Sequence, residues 1–142
     1  MVVLTVIAIL ATLAIPSYSR TLEQSQANIA AANLRAVWAA EQWWWLENGT
    51  YTPNFSDLQP PTASDPQALG LIDPQLGPAT SAISYYNYQL SAGSSSFTAS
   101  ATRKQNPTWA GSFTIDQTGQ FPSQYTQSIS AARQTPITPA FQ

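Results

Sequence analysis

The strongest constraint on this chain is its uncharged apolar opening, residues 1–15, which reads MVVLTVIAILATLAI. As a helix these residues span about 22 Å, less than the ~30 Å hydrocarbon thickness of a bilayer. No basic region precedes the stretch and no small-residue cleavage site closes it, so it lacks the pattern of a secretory signal peptide. We therefore expect a segment that is buried among other protein segments rather than removed.

A helical pattern continues beyond Pro16, because residues 17–48 contain neither glycine nor proline. Proline lacks a backbone N–H and clashes with the preceding turn, so we expect a kink at Pro16 and a narrow loss of helix at residues 11–15. Asn48 and Gly49 form a good carboxy-terminal cap, which predicts the helix end. Residues 1–48 are thus predicted as one helix, with residues 17–48 as its amphipathic half.

The amphipathic half carries apolar residues on two sides. Leu34, Trp38 and Trp45 fall on one stripe, which Ala27 and Ala31 extend, and we predict that this stripe packs on the rest of the chain. A helix that is apolar on two sides needs two partners, so the second side is predicted to contact another copy of the chain. That opposite side carries Ile29, Ala36, Ala40 and Trp43.

Composition excludes several classes of function. Only 8 % of the residues are charged, against roughly 25 % in a typical soluble domain. The net charge is −2 and no basic tract exists, so nucleic-acid binding is not expected. The chain has no Cys and no His, which removes thiol and imidazole catalysis, disulfides and ordinary zinc sites. The aspartates are scattered rather than gathered in a calcium loop. We expect no enzymatic activity, no cofactor and no metal.

After the helix the pattern predicts an α+β head over residues 49–142. Residues 49–80 are rich in Pro and Gly and predict a loop, with a helical turn at 55–58 capped by Ser56 and Asp57. An antiparallel sheet is predicted over residues 83–116, and residues 121–142 form a Pro-containing tail to which we assign no structure. The predicted strands are residues 83–90, 97–102 and 112–116, joined by hairpin loops at 91–96 and 104–111.

Residues 1–37 resemble the amino-terminal helix of type IV pilins and pseudopilins. Farther on, the sequence EQWWWLENGTYTPNFSDL is similar to that family's aromatic helix end and its following turn, and ISYYNYQL, SSSFTASATRK and GSFTIDQTGQ are similar to its head strands. The resemblance weakens after Gly119. It implies a pilin fold, in which a long amino-terminal helix packs on a small antiparallel sheet.

The resemblance also implies a function. The chain would be the structural subunit of a type IV pilus-like filament on the bacterial cell surface, held in the inner membrane before assembly. Its partners would be further copies of itself, a prepilin peptidase that cleaves and methylates, and the assembly ATPase and platform protein, with an outer-membrane pore if the cell is diderm. The filament core would be formed by Val2, Val3, Leu4, Val6, Ile7, Ile9, Leu10, Leu13 and Ile15.

The start of the chain departs from the family pattern. The family's cleavage-site residues and its acidic residue do not precede Met1, and about six more apolar residues would bring the helix to roughly 33 Å, enough to cross a membrane. We expect that the sequence begins inside the mature protein. The alternative is that Met1 is genuine and that the protein is not processed.

Two other classes of function remain open. A type II secretion pseudopilin would form a short periplasmic filament that pushes cargo. A secreted carbohydrate-binding module would use the run Trp43–Trp44–Trp45 as a stacking platform, although consecutive helical residues spread over about 200° and favour packing instead.

The remaining candidate residues are polar. The chain has few charged residues, and those on the predicted helix include Arg20, Glu23 and Arg35. We predict that these three fix the register between subunits. The prediction for glycan attachment falls on the exposed hairpin serines Ser94, Ser95 and Ser96, and the N-glycosylation pattern also matches at Asn48 and Asn54.

Overall fold

A computed structural model describes residues 2–62, 65–77, 84–104, 109–120, 128–129 and 137, with side chains at all of these except 2, 4–17, 128 and 129. The chain is an α+β protein with one long amino-terminal helix and a small three-stranded antiparallel sheet. The helices are α1 (Val2–Asn48) and α2 (Phe55–Leu58). The strands are β1 (Tyr86–Ala92), β2 (Phe97–Arg103), β3 (Trp109–Ala110), β4 (Ser112–Asp116) and β5 (Ser128–Ile129).

Helix α1 is 47 residues long, which corresponds to about 70 Å. It ends where the sequence predicts, since Gly49 adopts a positive φ of 71° and donates its N–H to the carbonyl of Trp45 at 2.8 Å. This left-handed conformation favours glycine and closes the last turn. Within the described part of the chain, no helix combines the length and the apolar character that a membrane crossing requires.

The helix continues through Pro16, so the loss of helix predicted at residues 11–15 is wrong. A proline removes only the hydrogen bond of its own nitrogen, and the amide–carbonyl pairs on either side of it can persist. The prediction from local sequence therefore overestimated how many residues before Pro16 lose helical structure. The predicted kink at Pro16 stays a prediction.

The main sheet has the order β1-β2-β4, and both pairs are antiparallel. Tyr88 lies opposite Ala101, which lies opposite Phe113 on the next strand. The predicted strands are confirmed with small shifts: β1 begins at Tyr86, while residue 83 lies outside the described residues. The first hairpin loop is shorter than predicted because β1 extends to Ala92.

A second, two-stranded sheet was not predicted. Trp109 in β3 pairs with Ile129 in β5, and the two strands are antiparallel. The segment 104–111 is therefore not entirely loop, and part of the 121–142 tail is a strand. Trp109 and Ile137 are buried in the core, while most of the tail lies outside the described residues.

The core lies between one face of α1 and the inner face of the sheet. Alternation along β2 points Phe97, Ala99 and Ala101 inward, as expected for a strand with one buried face. Helix α2 adds Phe55 and Leu58 to this core. The other core residues are Ala27, Ala30, Leu34, Val37, Ala40, Ile72, Leu76, Tyr86, Tyr88, Trp109, Phe113, Ile115 and Ile137.

The capping of α2 differs from the prediction. Its N-cap residue is Asn54, which makes no side-chain cap hydrogen bond, so Ser56 and Asp57 do not cap this helix from its N-cap position. Asp57 instead accepts a hydrogen bond from the hydroxyl of Thr52. A helix of one turn gains little from a cap, and its position here is fixed by the burial of Phe55 and Leu58.

Candidate functional site

The face of α1 that packs on the sheet is made mainly of small residues. Ala27, Ala31 and Leu34 are buried as predicted, and Ala40, which we placed on the opposite side, is also buried at 1 % exposure. The buried residues recur at three- and four-residue intervals from position 23 to position 41, so the face is wider than the predicted stripe. Alanines let the sheet approach the helix closely.

The two predicted tryptophan contacts are at the margins of this face. Trp38 is half-buried, donates its indole N–H to the carbonyl of Gln117 at 3.2 Å and lies against Gly119. Trp45 is 41 % exposed and stacks on Tyr51, with 6.3 Å between ring centroids. Trp45 therefore packs on Tyr51, in the loop after the helix, rather than in the core under the sheet.

A buried ion pair ties α1 to the end of β2. Arg103 donates its Nε–H to Oε1 of Glu23 at 2.5 Å and an Nη2–H to Oε2 at 3.1 Å. Its guanidinium also donates to the carbonyl of Tyr85 and lies over the rings of Tyr85 and Tyr86. The carboxylate of Glu23 is therefore paired within one copy of the chain. The predicted inter-subunit role of Glu23 and of the exposed residues Arg20 and Arg35 stays a prediction.

A second polar link joins the middle of the helix to the sheet. Asn33 donates its side-chain N–H to the hydroxyl oxygen of Tyr88 at 2.9 Å. Burial raises the pKa of the Tyr88 hydroxyl, while the hydrogen bonds with Asn33 and Ser84 lower it. These bonds and the ion pair fix the rotation of α1 against the sheet, and hence which side of the helix points away from the head.

The side of α1 that points away from the head carries apolar residues at heptad spacing. We call it the heptad face: Tyr18, Leu22, Ser25, Ile29, Ala32, Ala36, Ala39, Trp43 and Leu46. All of these side chains are exposed, including Tyr18 at 72 %, Ile29 at 51 % and Trp43 at 58 %. Alternating spacings of three and four residues are typical of a helix that packs along another helix. Ile29, Ala36 and Trp43, which we placed on the side opposite the stripe, lie on this face, and their contact with another copy stays a prediction.

The predicted filament-core residues are on the same helix, toward its amino-terminal end. Val3 is 72 % exposed. The other eight, Val2, Leu4, Val6, Ile7, Ile9, Leu10, Leu13 and Ile15, have backbone helical geometry but side chains outside the described residues. Their burial between subunits stays a prediction.

The three consecutive tryptophans point in different directions. Trp43 belongs to the heptad face, Trp44 is half-buried and packs against the core, and Trp45 stacks on Tyr51. Because consecutive helical residues are about 100° apart, the rings do not form one flat platform. Packing within the chain, which we favoured for this run over a stacking platform, describes Trp44 and Trp45.

One buried acid was missed by the sequence analysis. Glu41 is 0 % exposed, its Oε2 accepts the N–H of Thr52 at 3.2 Å, and its Oε1 makes no hydrogen bond among the described residues. Burial raises the pKa of Glu41 to about 7, Thr52 opposes the shift and the charge of Asp57 adds to it. A signal existed: Glu41 lies four residues after Val37 and seven after Leu34, on the same helical face.

A groove of about 650 Å³ runs between the loop around α2 and the outer side of β1 and β2. Its lining includes Gln89, Ser100 and Pro53, and none of the described lining residues is charged. The hairpin serines Ser94, Ser95 and Ser96 are exposed, as a glycan acceptor requires, and glycan attachment there stays a prediction.

Comparison with known proteins adds no relative: the chain matches no protein-family model, no curated protein and no solved structure. Any statement about its function therefore depends on the residues and the geometry described above. The heptad face is the described surface whose chemistry most clearly requires a partner.

Proposed function

We propose that this protein is a self-assembling structural subunit of a type IV pilus-like extracellular filament, with a pilin fold. The observation that carries the proposal is the heptad face of α1. It presents large apolar side chains to solvent along the helix, and exposed apolar patches of this kind mark interaction sites in soluble proteins.

The occupant of the heptad face is a second copy of the chain. Its spacing matches a helix, and α1 is the only long helix in the described part of the chain. Ala32, Ala36 and Ala39 lie between the larger residues and allow two helices to approach closely. The apolar opening, residues 1–15, continues the same helix and supplies the same kind of surface.

Assembly is open-ended when the heptad face of one copy receives a different surface of its neighbour, such as the apolar opening. A copy that contributes its helix to a different surface of its neighbour forms a head-to-tail contact, which grows into a fibre when the rotation does not close a ring. Each contact is stabilised by about 25 cal/mol per Å² of apolar surface removed from water. Before assembly, the apolar opening would hold the subunit in the inner membrane. The prepilin peptidase and the assembly machinery remain partners of this proposal.

The test compares two matched substitutions in cells that carry a pilus assembly system. Ile29→Asp places a charge on the heptad face, and Leu71→Asp places the same charge on a loop residue of similar exposure, 47 % against 51 %. Electron microscopy of sheared surface material should show filaments for the unmodified chain and for Leu71→Asp, and none for Ile29→Asp. Mass spectrometry of the filament protein gives its mature amino terminus.

Two results would contradict the proposal. One is filament formation by Ile29→Asp at the level of the unmodified chain. The other is an intact chain that stays monomeric in plain buffer. Filaments confined to the periplasm and found only with a secretion system would identify a pseudopilin instead.

A further inference from the structure

The junction between α1 and the following loop contains a carboxyl group in an unusual position. Glu41 has no solvent exposure, and only one of its two oxygens has a hydrogen-bond partner among the described residues, the N–H of Thr52. An ionised carboxylate in this position would lose its hydration and gain only one hydrogen bond, from a neutral donor. Burying the charged form is therefore costly in free energy. A neutral carboxylic acid is much cheaper to bury.

Thr52 connects this acid to a second one. Its backbone N–H donates to Glu41, and its hydroxyl donates to Oδ2 of Asp57 in α2. Asn54 also donates to Asp57, at 3.4 Å. One residue thus bridges two carboxyl groups on two helices, and ionisation of Glu41 adds a second negative charge to the same cluster.

Among the described residues, no positive charge compensates the negative charge of an ionised Glu41. Asp57, from α2, is the charged group that acts on it. Tyr51 is the titratable side chain of the loop between α1 and α2, and its ring packs on Phe97 of β2. On the sheet, Arg103 is paired with Glu23, which lies about 27 Å from Glu41 toward the start of α1. Lys104 follows Arg103 in sequence. Asp116 accepts a hydrogen bond from the N–H of Thr118 in the turn after β4.

We propose that Glu41 is a pH-sensitive latch: in its neutral form it holds residues 51–58 against the end of α1, and its ionisation weakens that contact. These residues are the latch segment. The segment also carries Tyr51, which stacks on Trp45, and Phe55 and Leu58, which complete the core. Opening of the latch would therefore loosen the base of the head where α1 ends. The proposal does not depend on filament assembly.

The direction of the pH effect follows from the two states of the chain. In the folded chain the pKa of Glu41 is about 7, against 4.5 for an ordinary glutamate. Between these values the folded chain keeps a proton that the unfolded chain has lost, so stability falls as the pH rises. The stabilisation is fully present below about pH 4.5 and has been lost once the pH has risen through about 7.

The first experiment is thermal unfolding of the full chain in a non-ionic detergent at several pH values from 5 to 8. The unmodified chain should lose on the order of 5–10 °C in melting temperature across this range. Glu41→Gln, which stays neutral and keeps an oxygen for Thr52, should show little of this loss. The matched control is Glu47→Gln, an exposed glutamate on the same helix, which should behave as the unmodified chain does.

The second experiment measures the ionisation of the carboxyl group directly. The chain contains three glutamates, Glu23, Glu41 and Glu47, so carbon NMR of glutamate-labelled protein should show three side-chain carboxyl signals. One of them should titrate near pH 7, and Asp57→Asn should lower that midpoint.

Three results would overturn the latch. The first is an equal fall in melting temperature for Glu41→Gln and the unmodified chain. The second is that all three glutamate signals titrate below pH 5.5. The third is that calcium chloride raises the melting temperature of the unmodified chain at pH 8 but not that of Glu41→Gln, which would make the cluster a cation site instead.

Discussion

The two long faces of α1 are both apolar, but the residues that the structure describes cover only one of them. The covered face consists mainly of alanines with Leu34 and Val37, and a buried ion pair at Glu23 and a hydrogen bond at Asn33 anchor it. The heptad face has larger residues such as Ile29, and none of the described strands lies over it. Apolar composition therefore does not distinguish a face that packs in the core from one that is exposed. The anchoring polar contacts do.

The comparison predicts the largest stability loss on the covered face. Leu34→Ala removes a side chain that is 1 % exposed and leaves a cavity between α1 and the sheet, at a cost of about 2–5 kcal/mol in the free energy of unfolding. Urea denaturation followed by circular dichroism measures it. A loss below about 1 kcal/mol would show that the sheet does not pack on α1 as described.

Loss of the ion pair at one end of the covered face should have the next largest effect on stability. Arg103→Ala leaves the carboxylate of Glu23 buried without its partner and should lower the free energy of unfolding by about 2–4 kcal/mol. Lys104→Ala is the control, because this neighbouring cation is outside the Glu23 pair, and it should change stability by less than about 0.5 kcal/mol. Equal losses for the two variants would mean that the pair does not anchor the helix.

The smallest stability effect belongs to the heptad face. Ile29→Asp should change the free energy of unfolding of the dissociated subunit by less than about 0.5 kcal/mol, since Ile29 is half exposed and contributes little to the core. Chemical denaturation in detergent tests this. A loss comparable to that of Leu34→Ala would place the heptad face inside the fold of the subunit and would remove the reason to give it a partner.

Local signals in the sequence accounted for the end of α1 and for the strands β2 and β4. Asn48 and Gly49 mark the end of α1 because the turn there requires a positive φ, and alternation located β2 and β4. The strands β3 and β5 have only two residues each, too few for alternation to be visible. The continuity of α1 through Pro16 was missed. The proline removes one hydrogen bond, and the helical hydrogen bonds on either side of it can persist.

The buried charged groups were harder to predict. Arg103 follows the inward positions 97, 99 and 101 of β2, so its side of the strand could be derived from parity, and Glu23 lies four residues before buried Ala27. Neither position reveals its partner, because the pairing joins residues 80 positions apart. Glu41 is similar: periodicity gives its face, but its burial depends on how the chain after α1 folds back.

The most direct test of the account is the accessibility of the heptad face in the assembled state. The chain contains no cysteine, so Ile29→Cys introduces a single thiol on this face and Ser94→Cys introduces one at the hairpin tip. Maleimide labelling would be measured on sheared surface material and on the same material dissociated in detergent. We predict that the thiol at position 29 is protected in the assembly and labelled after dissociation, while the thiol at position 94 is labelled in both. Equal labelling of position 29 in the two states would contradict burial of the heptad face between copies of the chain.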